Sequence, residues 1–281
     1  MCTPISLDEA EARIHEFCDL RILTLPKQNG QIRAIFGSPA TESSFKSILG
    51  LGLLLLARRE GLLAPGQPVI ESTSGSLGVG LAYAGKLLGH RVHLISDIGI
   101  PKITLRKLDH LQAVIHLVSI PHPSLGMQQS RDDLLTEILS TNSDYYWPNQ
   151  NDSPLNPEVY RRWLVPRLRL KLHGSAPIDA GCFAVGSGGH FTALAEMLRK
   201  HGAPSYAADR EGSITFGGSP GSSVIRGVGD QNRVPAVIQN SMNLVQEAIR
   251  VKDCEAISSC RRLAKHVYLL VAPRELRTVH P

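Results

Sequence analysis

The sequence lacks a paired set of cysteines. Its five, Cys2, Cys18, Cys182, Cys254 and Cys260, are odd in number and include no Cys-x-x-Cys pair. That argues against a disulfide scaffold or a structural zinc site and for reduced thiols in a cytoplasmic protein. A membrane-spanning run is missing too. The longest apolar stretch, residues 48–57, contains Gly50 and Gly52 and is half the length of about 20 residues that a bilayer requires. No basic region leads from Met1-Cys2-Thr3-Pro4 into an apolar core, so no secretory leader is expected. Internal repeats are absent, and residues 212–229, though rich in Gly and Ser, are too interrupted by Ile214, Phe216 and Val224 to form a flexible linker.

What is present is a chain of 281 residues, 42% of them hydrophobic, enough to bury a sizeable core and better suited to two lobes than one. The net charge of +5 is spread along the chain, which favours solubility and anionic small molecules without pointing to nucleic acid or a membrane surface. Apolar periodicity alternates between short strands and longer helices. Residues 32–35 read as a strand, 47–60 as a helix, 68–71 as a short buried strand, and 77–88 as a helix stopped by Gly89. Strand 91–96, helix 104–112, strand 113–118 and helix 131–140 continue the rhythm. After a break rich in prolines and amides at 145–157, helix 158–170, strand 180–185, helix 191–201 and strand 206–209 follow, and helices close the chain. This pattern predicts an α/β fold with parallel sheets flanked by helices. The break places the lobe boundary, so that residues 41–148 form a smaller substrate-loop domain, and 1–40 with 149–281 a larger domain.

Three segments carry candidate chemistry. Lys46 lies in Ser43-Ser44-Phe45-Lys46-Ser47 at a helix start. A lysine there is usually solvated, but Phe45 before it and Ile48 and Leu49 after it predict a partly dehydrated amine, and burial lowers a lysine pKa enough for Schiff-base chemistry near neutrality. Ile70-Glu71-Ser72-Thr73-Ser74-Gly75-Ser76-Leu77-Gly78 is a hydroxyl-rich strand-to-helix turn. By itself it reads as a helix cap made by Thr73 and Ser74. Gly186-Ser187-Gly188-Gly189-His190 is a second strand-to-helix turn, where glycines let the backbone approach an anion and the helix-start amides suit a phosphate. It lacks both the Lys-Ser/Thr ending of a nucleoside triphosphate loop and the Gly-x-Gly-x-x-Gly spacing of a dinucleotide site, and such a turn can equally be a packing device.

Together, and in this order, the three segments resemble the cysteine synthase and cystathionine β-synthase family of pyridoxal-phosphate enzymes, whose signatures are Ser-(Val/Phe/Ile)-Lys, Thr-Ser-Gly-Asn-Thr-Gly and Gly-Thr-Gly-Gly-Thr. The similarity runs from about residue 21 to 265. It implies the two-lobed fold type II, like the tryptophan synthase β-subunit, with pyridoxal 5'-phosphate held by Lys46. The resemblance places the cofactor phosphate on Gly186, Ser187, Gly188, Gly189 and His190, with His190 standing where the family has threonine. Ser76 takes the position of the asparagine beside the cofactor ring, and Gly227-Val228-Gly229 matches a glycine pair that lines the cofactor, although an ordinary turn fits those glycines equally. Thr73, Ser74, Gly75, Leu77 and Gln150 correspond to the residues that bind the substrate carboxylate, and Asn156-Pro157-Glu158 reproduces the family's Asn-Pro-Glu at a helix start. No metal is implied.

The implied activity is β-replacement on an activated L-serine such as O-acetylserine or O-phosphoserine. Lys46 gives up the cofactor to the incoming amino group and takes the α-proton, the β-group leaves, and sulfide or another nucleophile adds. The product is cysteine or, from segments 146–150 and 211–217, a diaminopropionate precursor. A small amino acid and a second copy of the chain, as a homodimer, are the expected partners. Two ends depart from the pattern. Cys18-Asp19-Leu20-Arg21-Ile22-Leu23 replaces Gly-Asn-Thr-Pro-Leu, and after Leu269-Leu270-Val271 the family's glycine-serine turn and its contact to the pyridine nitrogen have no counterpart. A second class of function therefore stays open: a degenerate member serving as a binding or regulatory subunit. Other arrangements are weaker. Residues 74–78 approximate a nucleophile elbow without its leading glycine, and His266 or His280 would be arbitrary triad members. His90 and His93 point to opposite faces, and Arg161, Arg162, Arg167 and Arg169 read as a solvated helix face.

Overall fold

The alternation of strands and helices expected from the sequence is what the computed structural model shows; it describes residues 3–27, 30–36, 44–73 and 75–267. Contacts divide the chain into two compact units, Met1–Ser175 and Ala176–Pro281.

The first unit opens with α1 (Leu7–Phe17), a helix not read from the sequence, although Ser6 and Glu9 form a capping box ahead of it: the Glu9 amide donates to Ser6 Oγ and the Ser6 amide to Glu9 Oε2. Next come β1 (Arg21–Lys27) and β2 (Gly30–Phe36), paired antiparallel as a ribbon of their own. Helix α2 (Phe45–Arg59) follows, buried without interruption from Ile48 to Ala57. A helix apolar on every side must be covered on every side. The parallel sheet is made by β3 (Val69–Ser72), β4 (Val92–Asp97) and β5 (Val114–Val118), in that order, with Val69 opposite Val92 and His93 opposite Val114. Its connecting helices are α3 (Ser76–Leu88), α4 (Lys102–His110) and α5 (Gly126–Thr141). Gly89 ends α3 at φ 78°, a left-handed cap that favours glycine.

Two details of this unit place the candidate residues. Helices α2 and α3 meet with their backbones in contact: a Cβ on Gly50 would lie 2.6 Å from the Leu81 nitrogen, and one on Gly80 would lie 2.6 Å from the Lys46 carbonyl oxygen. Secondly, the chain leaving α5 returns along β3, because the Ile70 amide donates to the Tyr146 carbonyl and the Tyr146 amide to that of Pro68. Tyr146, Trp147 and Gln150 are therefore held against β3 within this unit.

The expected helix 158–170 is interrupted. It consists of α6 (Leu155–Val159), a π-helical turn at Tyr160–Leu164 and α7 (Val165–Leu172). Pro166 has no N–H to return to the preceding turn, and the Val165 amide instead reaches the Tyr160 carbonyl. Along this stretch Arg162, Arg167 and Arg169 are exposed as expected, while Trp163 is core, with the Arg162 guanidinium 5.3 Å from its ring centre.

The second unit is a parallel sheet of β6 (Gly181–Ala184), β7 (Ser205–Arg210) and β8 (Val245–Val251), with helices α8 (Gly189–Arg199), α9 (Ala236–Gln239) and α10 (Asp253–Val267). Val185, Phe191, Ala195, Ala207, Ile238 and Leu244 form its core. Strand β8 corrects the expectation that only helices follow Gly229. Glu247 and Arg250 break its apolar pattern, because among the described residues it pairs with β7 alone and carries polar side chains as an edge does. Residues 212–229 are pinned rather than free: Arg210 donates to the carbonyls of Val228 and Gly221, and Asp253 accepts from Ser223 Oγ and the Val224 amide.

Because Gly80 faces backbone and not a yielding side chain, Gly80→Val is expected to destabilise the first unit by about 3 kcal/mol or more. Urea unfolding followed by far-ultraviolet circular dichroism measures this, and a midpoint equal to that of the parent chain contradicts the close crossing.

Candidate active site

Lys46 stands in the first turn of α2, whose start is fixed from two sides. Ser44 caps it, with Ser44 Oγ accepting from the Lys46 amide at 3.2 Å and Ser47 Oγ accepting from the Ser44 amide at 3.2 Å. The buried Tyr160 donates its phenol to the Phe45 carbonyl at 2.9 Å. So held, the partly buried Lys46 side chain brings Nζ to 2.7 Å from Gln150 Oε1. Burial pulls the Lys46 pKa down to about 8, against the opposing charge of Glu71.

Gln150 is itself held at two points. Its amide donates to Glu71 Oε2 at 3.2 Å, and its carbonyl accepts from Asn156 Nδ2 at 2.5 Å. Glu71 is 3% exposed. Its Oε1 also accepts from Trp147 Nε1 at 3.1 Å and from the Ser72 amide at 3.0 Å. Burial raises the Glu71 pKa to about 7; those three hydrogen bonds and then the Lys46 charge oppose the rise. Glu71 and Trp147 were not singled out from the sequence. The available signal was an acid ending a short apolar strand, a position that is costly to fill unless the charge has partners.

In the turn after β3, the Thr73 amide donates to the Ile95 carbonyl, and Thr73 Oγ1 accepts from the Gly75 amide at 3.3 Å. Gly75 is the N-cap of α3 and no side chain caps that helix, so Thr73 does not act as the cap that its position suggested. Ser74 lies outside the described residues. Gly75 and Ser76 are exposed. Leu77 is 2% exposed; its side chain belongs to the core, which leaves only its amide for a ligand.

The second turn lies in the second unit. Gly188, at φ 85°, is the N-cap of α8 with no side-chain cap bond. A Cβ there would lie 2.6 Å from Ile238 Cγ1, and one on Gly186 would strike the Gly227 carbonyl. Ser187, Gly188 and Gly189 are buried, and Gly227 sits at φ 78°. The Gly227 backbone on one side and the Ile238 and Val237 side chains on the other close this corner, and the first amides of α8 have no partner within the helix. Asp209, also missed from the sequence, is the next-to-last residue of β7 and is 1% exposed. It accepts from the Arg210 amide at 2.8 Å, and burial raises its pKa.

The structure thus joins Lys46 to Gln150 in the first unit and Gly186 to Gly227 in the second. His90 and His93 are engaged separately: His90 with Arg58 and the Gln67 carbonyl, His93 with His116 and Tyr145.

A family model described as pyridoxal-phosphate dependent enzyme matches residues 42–275. The fold is similar to that of an O-acetylserine dependent cystathionine β-synthase from Helicobacter pylori, at 22% identity over 96% of this chain and 86% of that one, with a TM-score of 0.81. It is similar as well to a hydrogen sulfide-producing enzyme from Fusobacterium nucleatum, at 20% identity over 95% and 87% of the two chains, with a TM-score of 0.79. An O-ureido-L-serine synthase matches at 19% identity over 91% and 80%, with a TM-score of 0.78.

Competitive acylation across a pH series, read by mass spectrometry, is expected to give Lys46 a half-labelling point near 8, against the ordinary lysine value of 10.5. A point shared with the exposed lysines would contradict the partly dehydrated amine.

Proposed function

The chain belongs to the pyridoxal-phosphate dependent enzyme family, and from that premise we propose that it performs β-replacement on an activated L-serine such as O-acetylserine or O-phosphoserine. The observation that carries this reading is the partly buried Lys46, whose Nζ lies 2.7 Å from Gln150 Oε1, on a helix whose first turn packs against Gly80 of α3. Two features fit the cofactor. An amine with its pKa near 8 is in part neutral and nucleophilic at physiological pH. The corner at Gly186 and Gly188, which a Cβ would fill, combines backbone amides with a helix start as a phosphate requires.

Lys46 Nζ would hold the cofactor covalently, and residues 186–190 would take its phosphate, with Gly227 and Ser76 lining it. When bound, pyridoxal phosphate supplies the electron sink that makes the α-proton of an amino acid acidic. Thr73, Ser74, Gly75 and the Leu77 amide would orient the substrate carboxylate with Gln150, so that the α C–H bond points at Nζ. Released when the substrate's amino group takes its place, Lys46 Nζ would accept that proton; the β-substituent would leave with the electron pair of its bond, the nucleophile would add at the β-carbon, and Nζ would return a proton to the α-carbon. Orientation of this kind can supply a large part of the barrier reduction. Cysteine, or a diaminopropionate precursor, is the proposed product.

With this reading go a division of labour between residues 41–148 and residues 1–40 with 149–281, a homodimer, and a cytoplasmic setting. Among the described residues no helix is long and apolar enough to cross a membrane. A second reading, a non-catalytic member that binds without turnover, is favoured by Ser76, Leu77 and His190 standing where the family has asparagine, threonine and threonine. Colour separates the two: the enzyme with cofactor absorbs in the near-visible region and its band moves on adding amino acid, whereas the non-catalytic form leaves the band still.

Borohydride reduction of the cofactor-loaded chain is expected to fix the cofactor on Lys46, and Lys46→Ala to abolish the adduct with the fold intact. An adduct mapped to Lys86 or Lys102 would overturn the assignment. Gly188→Asp forces a side chain on a left-handed residue against Ile238 and so distorts the turn that should hold the phosphate, and cofactor affinity is expected to fall by roughly 2 kcal/mol or more. An unchanged cofactor titration in that variant would reduce the turn to a packing device.

A further inference from the structure

We propose that Glu71 is a positioning residue for Lys46: its carboxylate clamps Gln150 and Trp147 so that the Gln150 amide oxygen faces Nζ, and its charge is coupled to that of the amine. The inference rests on Lys46 being the amine that carries the cofactor, and it adds a residue to which the family likeness assigned no role.

Glu71 is the next-to-last residue of β3, its carboxylate is buried, and both oxygens are used. Oε1 accepts from Trp147 Nε1 and the Ser72 amide, and Oε2 accepts from the Gln150 amide. The last of these bonds fixes the backbone of the residue whose side chain meets Nζ. An ammonium has donors only, so the Gln150 amide must present its oxygen to a charged Lys46. Losing the clamp would free the Gln150 side chain to turn its other end inward.

The electrostatics follow. Burial disfavours charge on both groups, and each charge favours the other, so Lys46 and Glu71 titrate as a pair, with values near 8 and near 7. When Nζ loses its proton Glu71 is already ionised, so its buried carboxylate is then held by the hydrogen bonds from Trp147, Ser72 and Gln150 alone. The other groups near Glu71 do not compete. Tyr146, on the segment after α5, is pushed up to about 12 by burial and then by the charges of Glu60 and Glu71, and stays neutral. Asp132 on α5 engages Ser72 Oγ at 2.8 Å.

Trp147 makes the pair visible. It is one of two tryptophans in the chain, its indole N–H bonds to Glu71, and the other, Trp163, bonds to Glu11. In the full-length Trp163→Phe chain freed of cofactor, Trp147 fluorescence is expected to change sigmoidally with a midpoint near 7. Adding Lys46→Ala removes the neighbouring positive charge, and the midpoint should rise by about one pH unit. Glu71→Gln should flatten the curve and lower the half-labelling pH of Lys46 by about one unit. A flat Trp147 trace in the Trp163→Phe chain, or a midpoint indifferent to Lys46→Ala, would overturn the proposal; both are read with Glu71 in place, so they stand even where Glu71→Gln does not fold. Lys46 labelling that ignores Glu71→Gln in a folded chain overturns it as well. If Lys46 does not carry the cofactor, borohydride leaves no adduct on it while the Trp147 titration persists, so the two ideas fail separately.

Discussion

At Gly50 and Gly80 the backbones of α2 and α3 touch, and the first unit is arranged around that contact. A helix as apolar as α2 could be buried in many ways, but only a pair of residues without side chains allows its axis to come this close to α3. The closeness is what sets the Lys46 carbonyl against Gly80, one turn into the helix that begins with Ser76. The amine and the hydroxyl-rich turn are therefore placed by packing before any polar contact is made between them. Tyr160 acts in the same sense from the other side, tying Phe45 to the turn between α6 and α7.

Much of this was legible in the sequence. The α/β rhythm could be read because strands and helices bury different periods, and Gly89 marked the end of α3 through its left-handed cap. The lysine was legible by its apolar neighbours, Ile48 and Leu49, which are fully buried. Less visible were features made by distant contacts. Lys46 and Gln150 are 104 residues apart, and they meet because residues beyond α5 run back along β3, a path that no local pattern announces. Strand β8 was hidden by Glu247 and Arg250, and Leu77 reads as part of a loop motif until its burial is known. Glu71 sat in plain view inside the motif, but its partners Trp147 and Gln150 are 76 and 79 residues away.

The two units solve different problems with different materials. In the first, a buried glutamate and a partly buried lysine each favour the other's charge and offset part of its desolvation. In the second, the turn before α8 is built from backbone, and its glycines at 186 and 188 are defended by the Gly227 carbonyl and by Ile238. A charged pair can respond to pH and to a neighbour's charge. A corner of amides cannot titrate, and offers a partial positive charge that does not change with pH.

The π-helical turn at Tyr160–Leu164 bears on how this chain tolerates changes of length. A π turn holds one more residue than an α turn, so deleting a residue there would restore a regular helix. It would also rotate every side chain on one flank by about 100° relative to the other. Tyr160 would lose its aim at Phe45, or Leu168 its place in the core. The segment therefore accepts substitutions by the usual rules of burial but should resist insertions and deletions, and length variation among related chains is to be sought in loops on either side of it.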